Sequence, residues 1–290
     1  MKLKLTGIAI ALCFALCLFL AASPSQAQLL AAKDAPVAYG HHHLNVTDIP
    51  ANLKFFGDAL GGTPITVAGR QMVKFPNVLV FLRQQKPTAG SKGSSVDHLG
   101  FSVPDLRAAV DKIKANGYRM VTKEEAPAPW VVADDLATQA GRDIRIAFAM
   151  GPDDLKVEIV EVKAQPTPVS LHHVHFAGPD NKAMQEWYVK VFGARANTAA
   201  PGATFQSATL PGVSLNFNQA PAGVAGTQGR VVDHVGFEIT GLPEFLKKVE
   251  AMGIKPANVR DVPDLGASIA FITDPWGTYI ELTEGLKKIQ

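Results

Sequence analysis

Four times along the chain, a stretch with the alternation of a strand gives way to one with apolar residues three and four apart. Residues 41–47 and 98–103 are β-rich and partly alternating, as expected of strands with one face buried. Behind them, Leu53, Phe56 and Leu60 fall on one helical face, as do Leu106, Val110 and Ile113, and again Leu242, Phe245 and Val249. Gly61, Gly117, Gly193 and Gly253 follow these helices where a C-terminal cap belongs. Short strand runs come next, at 78–82, 144–149, 213–217 and 267–272. The predicted unit is a strand, a helix and about three strands, present four times.

The repetition extends to the letters. Gly40-His41-His42-His43-Leu44-Asn45-Val46-Thr47-Asp48 aligns with His172-His173-Val174-His175-Phe176-Ala177-Gly178-Pro179-Asp180, and Asp97-His98-Leu99-Gly100-Phe101 with Asp233-His234-Val235-Gly236-Phe237. Val157-Glu158-Ile159-Val160-Glu161 pairs with Ile280-Glu281-Leu282-Thr283-Glu284. So small a unit leaves one sheet face uncovered, so units are expected to pair. Pairing in chain order predicts an α+β protein of two domains, each two βαβββ modules, at residues 38–162 and 171–286. The linker 163–170 carries Pro166 and Pro168, which suit an extended spacer.

Composition adds an address. Lys2 and Lys4 precede an uncharged apolar run from Ile8 to Ala22, and Ser23-Pro24-Ser25-Gln26-Ala27 supplies a helix break and a small-x-small pattern. Residues 1–27 thus read as a secretory signal cleaved after Ala27, giving a periplasmic or secreted protein. An uncleaved anchor is the competing reading, but the run is short for a span of about 20 residues. Both cysteines, Cys13 and Cys17, lie inside the run, so the mature chain has no thiol for catalysis, disulfides or metal. A formal net charge of +2 without basic or acidic blocks gives no support for nucleic acid or, after signal cleavage, a membrane as partner. The sequence does not fix the oligomeric state.

The chemistry lies in histidines and carboxylates. His41, His98 and Glu158 in one half recur as His173, His234 and Glu281 in the other. Two imidazoles and a carboxylate suit a first-row divalent ion and leave open positions for substrate. A lone strand histidine is more often a hydrogen-bonded core residue, and Glu158 and Glu281 also fit salt-bridged strand positions; the matched recurrence favours metal ligands. Residues two apart on a strand share a face, so His43 and His175 point with His41 and His173 and are candidates for acid–base or supporting roles. His42 and His172 are expected to face away. His98 and Glu158 are 60 positions apart but His234 and Glu281 only 47, which places 13 extra residues within 124–142. That Pro- and Ala-rich stretch holds Trp130, a candidate substrate contact if it forms a lid and a packing residue if it covers a domain interface.

These motifs resemble the vicinal oxygen chelate superfamily, which includes glyoxalase I, methylmalonyl-CoA epimerase, fosfomycin and bleomycin resistance proteins and extradiol dioxygenases. The resemblance runs from about Ala38 to Leu286. It is carried by His173-Val174-His175 with Asp180, by Trp187-Tyr188-Val189-Lys190-Val191-Phe192-Gly193, by Asp233-His234-Val235-Gly236-Phe237 and by Asp274-Pro275-Trp276-Gly277-Thr278-Tyr279-Ile280-Glu281. It implies curled-sheet cups in which a divalent ion (Fe, Mn, Ni or Zn) chelates two neighbouring oxygens of a small-molecule substrate. It places ligands on the first strands, at His41, His98, His173 and His234, and on the last strands, at Glu158 and Glu281. The two remaining last-strand positions hold Phe81 and Asn216, so the four-ligand glyoxalase pattern is incomplete, though Asn216 can reach an ion or its water. Where the dioxygenases carry a tyrosine shortly before Asp-Pro-x-Gly, this chain has Phe271, a candidate substrate contact. The expected function is a metal-dependent lyase, isomerase or dioxygenase. A drug-binding protein without catalysis is the alternative, as is a scaffold with one working half.

Overall fold

The computed structural model describes residues 36–199, 205–220 and 223–289; the expected signal sequence, with Cys13 and Cys17, lies outside them. No helix among the described residues is long and apolar enough to cross a membrane. The fourfold unit is present. The first module is β1 (Val37–Val46), α1 (Ile49–Leu53), β2 (Thr63–Val67), β3 (Arg70–Phe75) and β4 (Val78–Gln84). The second is β5 (Val96–Val103), α2 (Leu106–Ala115), β6 (Arg119–Met120), α3 (Thr122–Glu125), β7 (Val131–Ala133), β8 (Leu136–Thr138), β9 (Arg145–Met150) and β10 (Lys156–Glu161). The third is β11 (Ser170–Gly178), α4 (Asn181–Phe192), β12 (Arg195–Asn197), β13 (Phe205–Leu210) and β14 (Val213–Gln219). The fourth is β15 (Val232–Ile239), α5 (Leu242–Ala251), β16 (Ala257–Val262), β17 (Ala267–Thr273) and β18 (Tyr279–Glu284).

Local chemistry sets most boundaries. Asp48, Asp105 and Asp180 cap α1, α2 and α4, each accepting from a backbone N–H of the first turn. The glycines expected to end the helices, Gly61, Gly117, Gly193 and Gly253, all have positive φ. The first helix departs from the expected one: after five α-helical residues it widens into a π-helical turn, Lys54–Ala59, with Leu60 N–H donating to the Phe55 carbonyl. Phe55 and Phe56 are both fully buried, and two adjacent aromatics reach the core more readily from a wider turn.

The pairing of modules differs from chain order. One sheet has the order β16-β17-β18-β15-β1-β4-β3-β2, joining the fourth module to the first. The other runs β12-β13-β14-β11-β5-β10-β9-β8-β7, with β6 beside β9, joining the third to the second. The expected pairing of modules within 38–162 and within 171–286 is therefore corrected: neither stretch forms a sheet of its own. The physical reason lies in the connections. The linker is a bonded turn and not a spacer: Val162 N–H donates to the Val103 carbonyl, and the Gln165 amide donates to the carbonyls of Ser102 (3.0 Å) and Thr167 (2.8 Å). This sets β11 alongside β5, with Ser170 opposite Ser102. The segment 85–95 instead crosses to the other sheet and pairs with the return crossing, through Thr88 N–H to Gly229 O (2.8 Å), Val231 N–H to Ala89 O (2.9 Å) and Ser95 N–H to Ala225 O (2.8 Å).

Strand alternation sorts the side chains. Val157 and Ile159, Ile280 and Leu282, and Val235 and Phe237 enter one core shared by all four modules, while Glu158, Glu281 and His234 point to the opposite faces. Phe237 stacks on Phe192 of α4 at 4.2 Å, tying the first sheet to the third module. Burying each such side chain contributes about 1.5–3 kcal/mol. Asn77, in the β3–β4 turn, bridges the two sheets: its amide donates to the carbonyls of Leu171 and Gly212 and its oxygen accepts from Leu171 N–H, all at 2.8 Å. Asn77→Ala strands these three backbone groups, and urea unfolding is expected to show a loss of about 2–3 kcal/mol.

Candidate functional site

Both clusters are built on an antiparallel ladder between first strands of different modules. In the first sheet His43 lies opposite His234 and His41 opposite Gly236; in the second His175 lies opposite His98 and His173 opposite Gly100. The glycines are required by close approach. A Cβ on Gly236 would sit 1.9 Å from the His41 ring and one on Gly100 2.2 Å from the His173 ring, so each imidazole lies across a bare backbone.

The six residues expected to ligate metal thus come together, sorted differently from the expected halves. His41 joins His234 and Glu281, and His173 joins His98 and Glu158. The grouping of His41 with His98 and Glu158, and of His173 with His234 and Glu281, is corrected by the exchange of modules described above. In the first cup Glu281 Oε2 is 2.9 Å from both His41 Nε2 and His234 Nε2. In the second, Glu158 Oε2 is 2.9 Å from His98 Nε2 and 3.2 Å from His173 Nε2. His175 Nδ1 approaches His98 Nε2 at 2.8 Å, which adds a fourth residue to this cluster, whereas its counterpart His43 stacks on Phe81 at 5.6 Å.

The donor sets fit a divalent ion. Atoms bound at about 2.1 Å and at right angles around an ion are about 3.0 Å apart, the spacing found here. The buried His173 Nε2 is out of line for a hydrogen bond to Glu158, and His41 Nδ1 and His175 Nε2 are also without partners, so the clusters hold polar atoms that the described residues do not satisfy.

Each His-Glu pair has a further carboxylate behind it. A β-bulge at Asp97, and another at Asp233, turns a residue that should face away toward the histidine that follows it. Asp97 Oδ1 accepts from His98 Nδ1, and Asp233 Oδ1 from His234 Nδ1, each at 2.7 Å, leaving Nε2 for the cup. Burial opposes charge on these rings, but the bonds to Asp97 and Glu158 outweigh it and raise His98, and those to Asp233 and Glu281 raise His234. Burial likewise tends to raise the carboxylates, yet the neighbouring histidines hold Glu158 and Glu281 well below the usual range, and His234 and the Gly229 N–H hold Asp233 down to about 2. Burial, then His234 and His98 respectively, keep His43 and His175 well below the imidazole range.

The remaining expected residues divide between the cups. Phe271 stands edge-on to His234 at 5.3 Å and lines the first cup. Asn216 lies beside His175 in the second, accepting from Ser214 Oγ at 3.0 Å. Trp130 packs with Val121, Ile146, Phe148 and Val160, on the face that carries Glu158, so the insertion covers a wing of the second cup and not an interface. Of the outward histidines, His42 is buried on the core side with Tyr39, while the bulge at His172 brings its Nδ1 within 2.8 Å of His173 Nδ1.

Sequence reasoning missed Asp97 and Asp233, although the doubled Asp-His pair was the available signal. It also missed the arginines of the first cup: a cavity of about 160 Å³ is lined by His43, His234 and Glu281 and by Arg70, Arg83 and Arg260. Gly100→Ala and Gly236→Ala are expected to displace His173 and His41 and to cost one bound ion each with far-ultraviolet circular dichroism unchanged. Asp97→Asn is expected to weaken binding at the second cup about 10–100-fold in a metal titration.

No curated protein sequence matches this chain. Among solved structures, maize (Zea mays) glyoxalase I superposes with a TM-score of 0.67 at 18% identity, covering 87% of this chain and 93% of that one. A candidate dioxygenase from Bacillus subtilis gives 0.62 at 12% identity, over 86% and 85%. The family model matches residues 38–128 and 170–282, the stretches that supply both ladders, and the chain belongs to the Glyoxalase/Bleomycin resistance protein/Dioxygenase superfamily.

Proposed function

We propose that this chain is an exported, divalent-metal-dependent enzyme of the vicinal oxygen chelate type that acts on a small molecule, by lyase or isomerase chemistry like a glyoxalase or by dioxygenation. The observation that carries the reading is the convergence of two imidazole nitrogens on one glutamate oxygen, made twice on equivalent ladders with an Asp behind one histidine each time. His41, His234 and Glu281 would hold one ion, and His98, His173 and Glu158, joined by His175, the other. When bound, such an ion supplies Lewis-acid polarisation of two neighbouring substrate oxygens.

The chain's own groups supply the rest. Phe81, Ile269, Leu265 and Phe271 give the first cup apolar walls that exclude water from a small ligand. His43 faces this cavity and is kept uncharged by burial and by His234, so its ring is available to hydrogen-bond a substrate hydroxyl. Asp233 fixes the His234 ring through Nδ1, and Asp97 does the same for His98. Export rests on the basic start and apolar run of residues 1–27 and is tested by recovering the mature chain from a periplasmic extract.

Mature protein incubated with Fe(II), Mn(II), Ni(II) or Zn(II) is expected to hold two ions per chain by mass spectrometry, and Glu158→Ala and Glu281→Ala one each. No bound ion under any condition would leave a binding protein without metal chemistry. With metal bound, oxygen uptake on catechols selects dioxygenation, and its absence leaves proton transfer. Affinity should rise with pH and level off above the elevated values of His98 and His234, because below them the rings must lose a proton to ligate. Calorimetry in buffers of different ionisation enthalpy should find about one proton released per site at pH 6 and fewer at higher pH.

A further inference from the structure

The two cups share a scaffold, so equivalent positions can be compared directly. Gln71 lies opposite Leu82 in the first sheet as Gln206 lies opposite Phe217 in the second, which makes Arg70 equivalent to Phe205 and Arg83 to Asn218. Ile269 lies opposite Arg260 as Ile146 lies opposite Ala137. Where the first cup carries three arginines, the second therefore carries Phe205, Asn218 and Ala137. Phe205 sits 5.6 Å from His175, so that position faces the cup in both sheets.

The three guanidiniums are not equally free. Arg70 is clasped to Asp264 at 2.6 Å, closing one wing of the curled sheet on the other. Arg83 donates from Nε to Asn45 Oδ1 at 2.8 Å and from Nη2 to Asn45 Oδ1 and to Asp233 Oδ2 (3.2 Å), and its Nη1 has no partner among the described residues. Arg260 donates only to the Asn258 carbonyl and has no carboxylate within ion-pair distance among the described residues. The acids nearby are committed: Glu281 to two histidines, Asp233 to His234, Gly229 N–H and Asn45. The cavity between them, about 160 Å³, is well below the roughly 300–1,000 Å³ of drug-sized sites.

We infer that the first cup takes a small organic oxyanion, a carboxylate or phosphate held by Arg83 and Arg260 at the mouth while its other oxygens reach the His41–His234–Glu281 floor. The second half of that statement rests on the metal reading above; the anion subsite stands on the arginines alone. A planar guanidinium with free N–H groups matches an oxyanion, and both Arg83 and Arg260 are exposed, so an anion reaches them from solvent.

The test is calorimetry on mature protein carrying Glu158→Ala, which removes the second metal site, both metal-free and loaded with Mn(II). The probes are 2-hydroxysuccinate, 2-phosphoglycolate and uncharged 1,2-dihydroxybenzene. At least one anion should bind better than the uncharged probe, and the ratio between the two anions assigns carboxylate or phosphate. Arg260→Met should weaken that anion about tenfold or more, Arg260→Glu further, and Arg260→Lys less, with the manganese count and the uncharged probe unaffected. Anion affinity unchanged in Arg260→Glu, preference for the uncharged probe, or no anion binding in either form would overturn the inference. Anion binding that depends on Arg260 in a protein that holds neither manganese nor Fe(II), Ni(II) or Zn(II) would sink the metal reading and leave the anion site standing.

Discussion

The antiparallel ladder between first strands of two modules is the contact from which both cups follow. In it one histidine crosses a glycine, its neighbour two residues on faces a histidine of the opposite strand, and a bulge presents an aspartate behind that second histidine. The ladder runs through β1 and β15 in one sheet and through β11 and β5 in the other. The parallel neighbours β18 and β10 then bring Glu281 beside Gly236 and Glu158 beside Gly100, so each carboxylate arrives level with the histidine that crosses the glycine. Three strands from two modules make each cluster, and no module makes one alone.

Burial of these groups is tolerable because their charges are shared. Each set pairs an imidazole raised by two carboxylates with those carboxylates, an excess of about one negative charge that Lys156 beside Asp97 and Arg83 beside Asp233 offset, and removing one member would leave an uncompensated buried charge. The same arrangement suits a cation, which would replace a proton between the same donors. Around this common floor the walls have diverged. The second cup has a fourth residue in its cluster, a histidine bonded behind His173, and an inserted wing over one side; the first has Gly40 where His172 stands, a stacked His43–Phe81 pair and arginines at its mouth.

Much of this was legible in the sequence, and the limit has a physical location. The period-two alternation separates Val157 and Ile159 from Glu158, and the repeated letters find His41, His98, His173, His234, Glu158 and Glu281 without any structure. The repeats report that modules are alike, and being alike they do not report which pairs with which. That choice is made by groups without periodicity: the Gln165 amide holding the linker turn, the Asn77 bridge, and the crossings at 85–95 and 223–231. The bulges are invisible for a related reason, since one unpaired residue changes the face of Asp97 and Asp233 without changing their type. The π-helical turn at Lys54–Ala59 left only the adjacent Phe55 and Phe56 as a trace.

The partition of ligands between cups is the central claim, and counting ions in paired double variants addresses it most directly. His41→Ala with Glu281→Ala removes two residues of one cup, and mass spectrometry should find one ion still bound per chain. His41→Ala with Glu158→Ala damages both cups and should leave none. One ion retained in the second pair and none in the first would contradict the account and restore the grouping of modules in chain order.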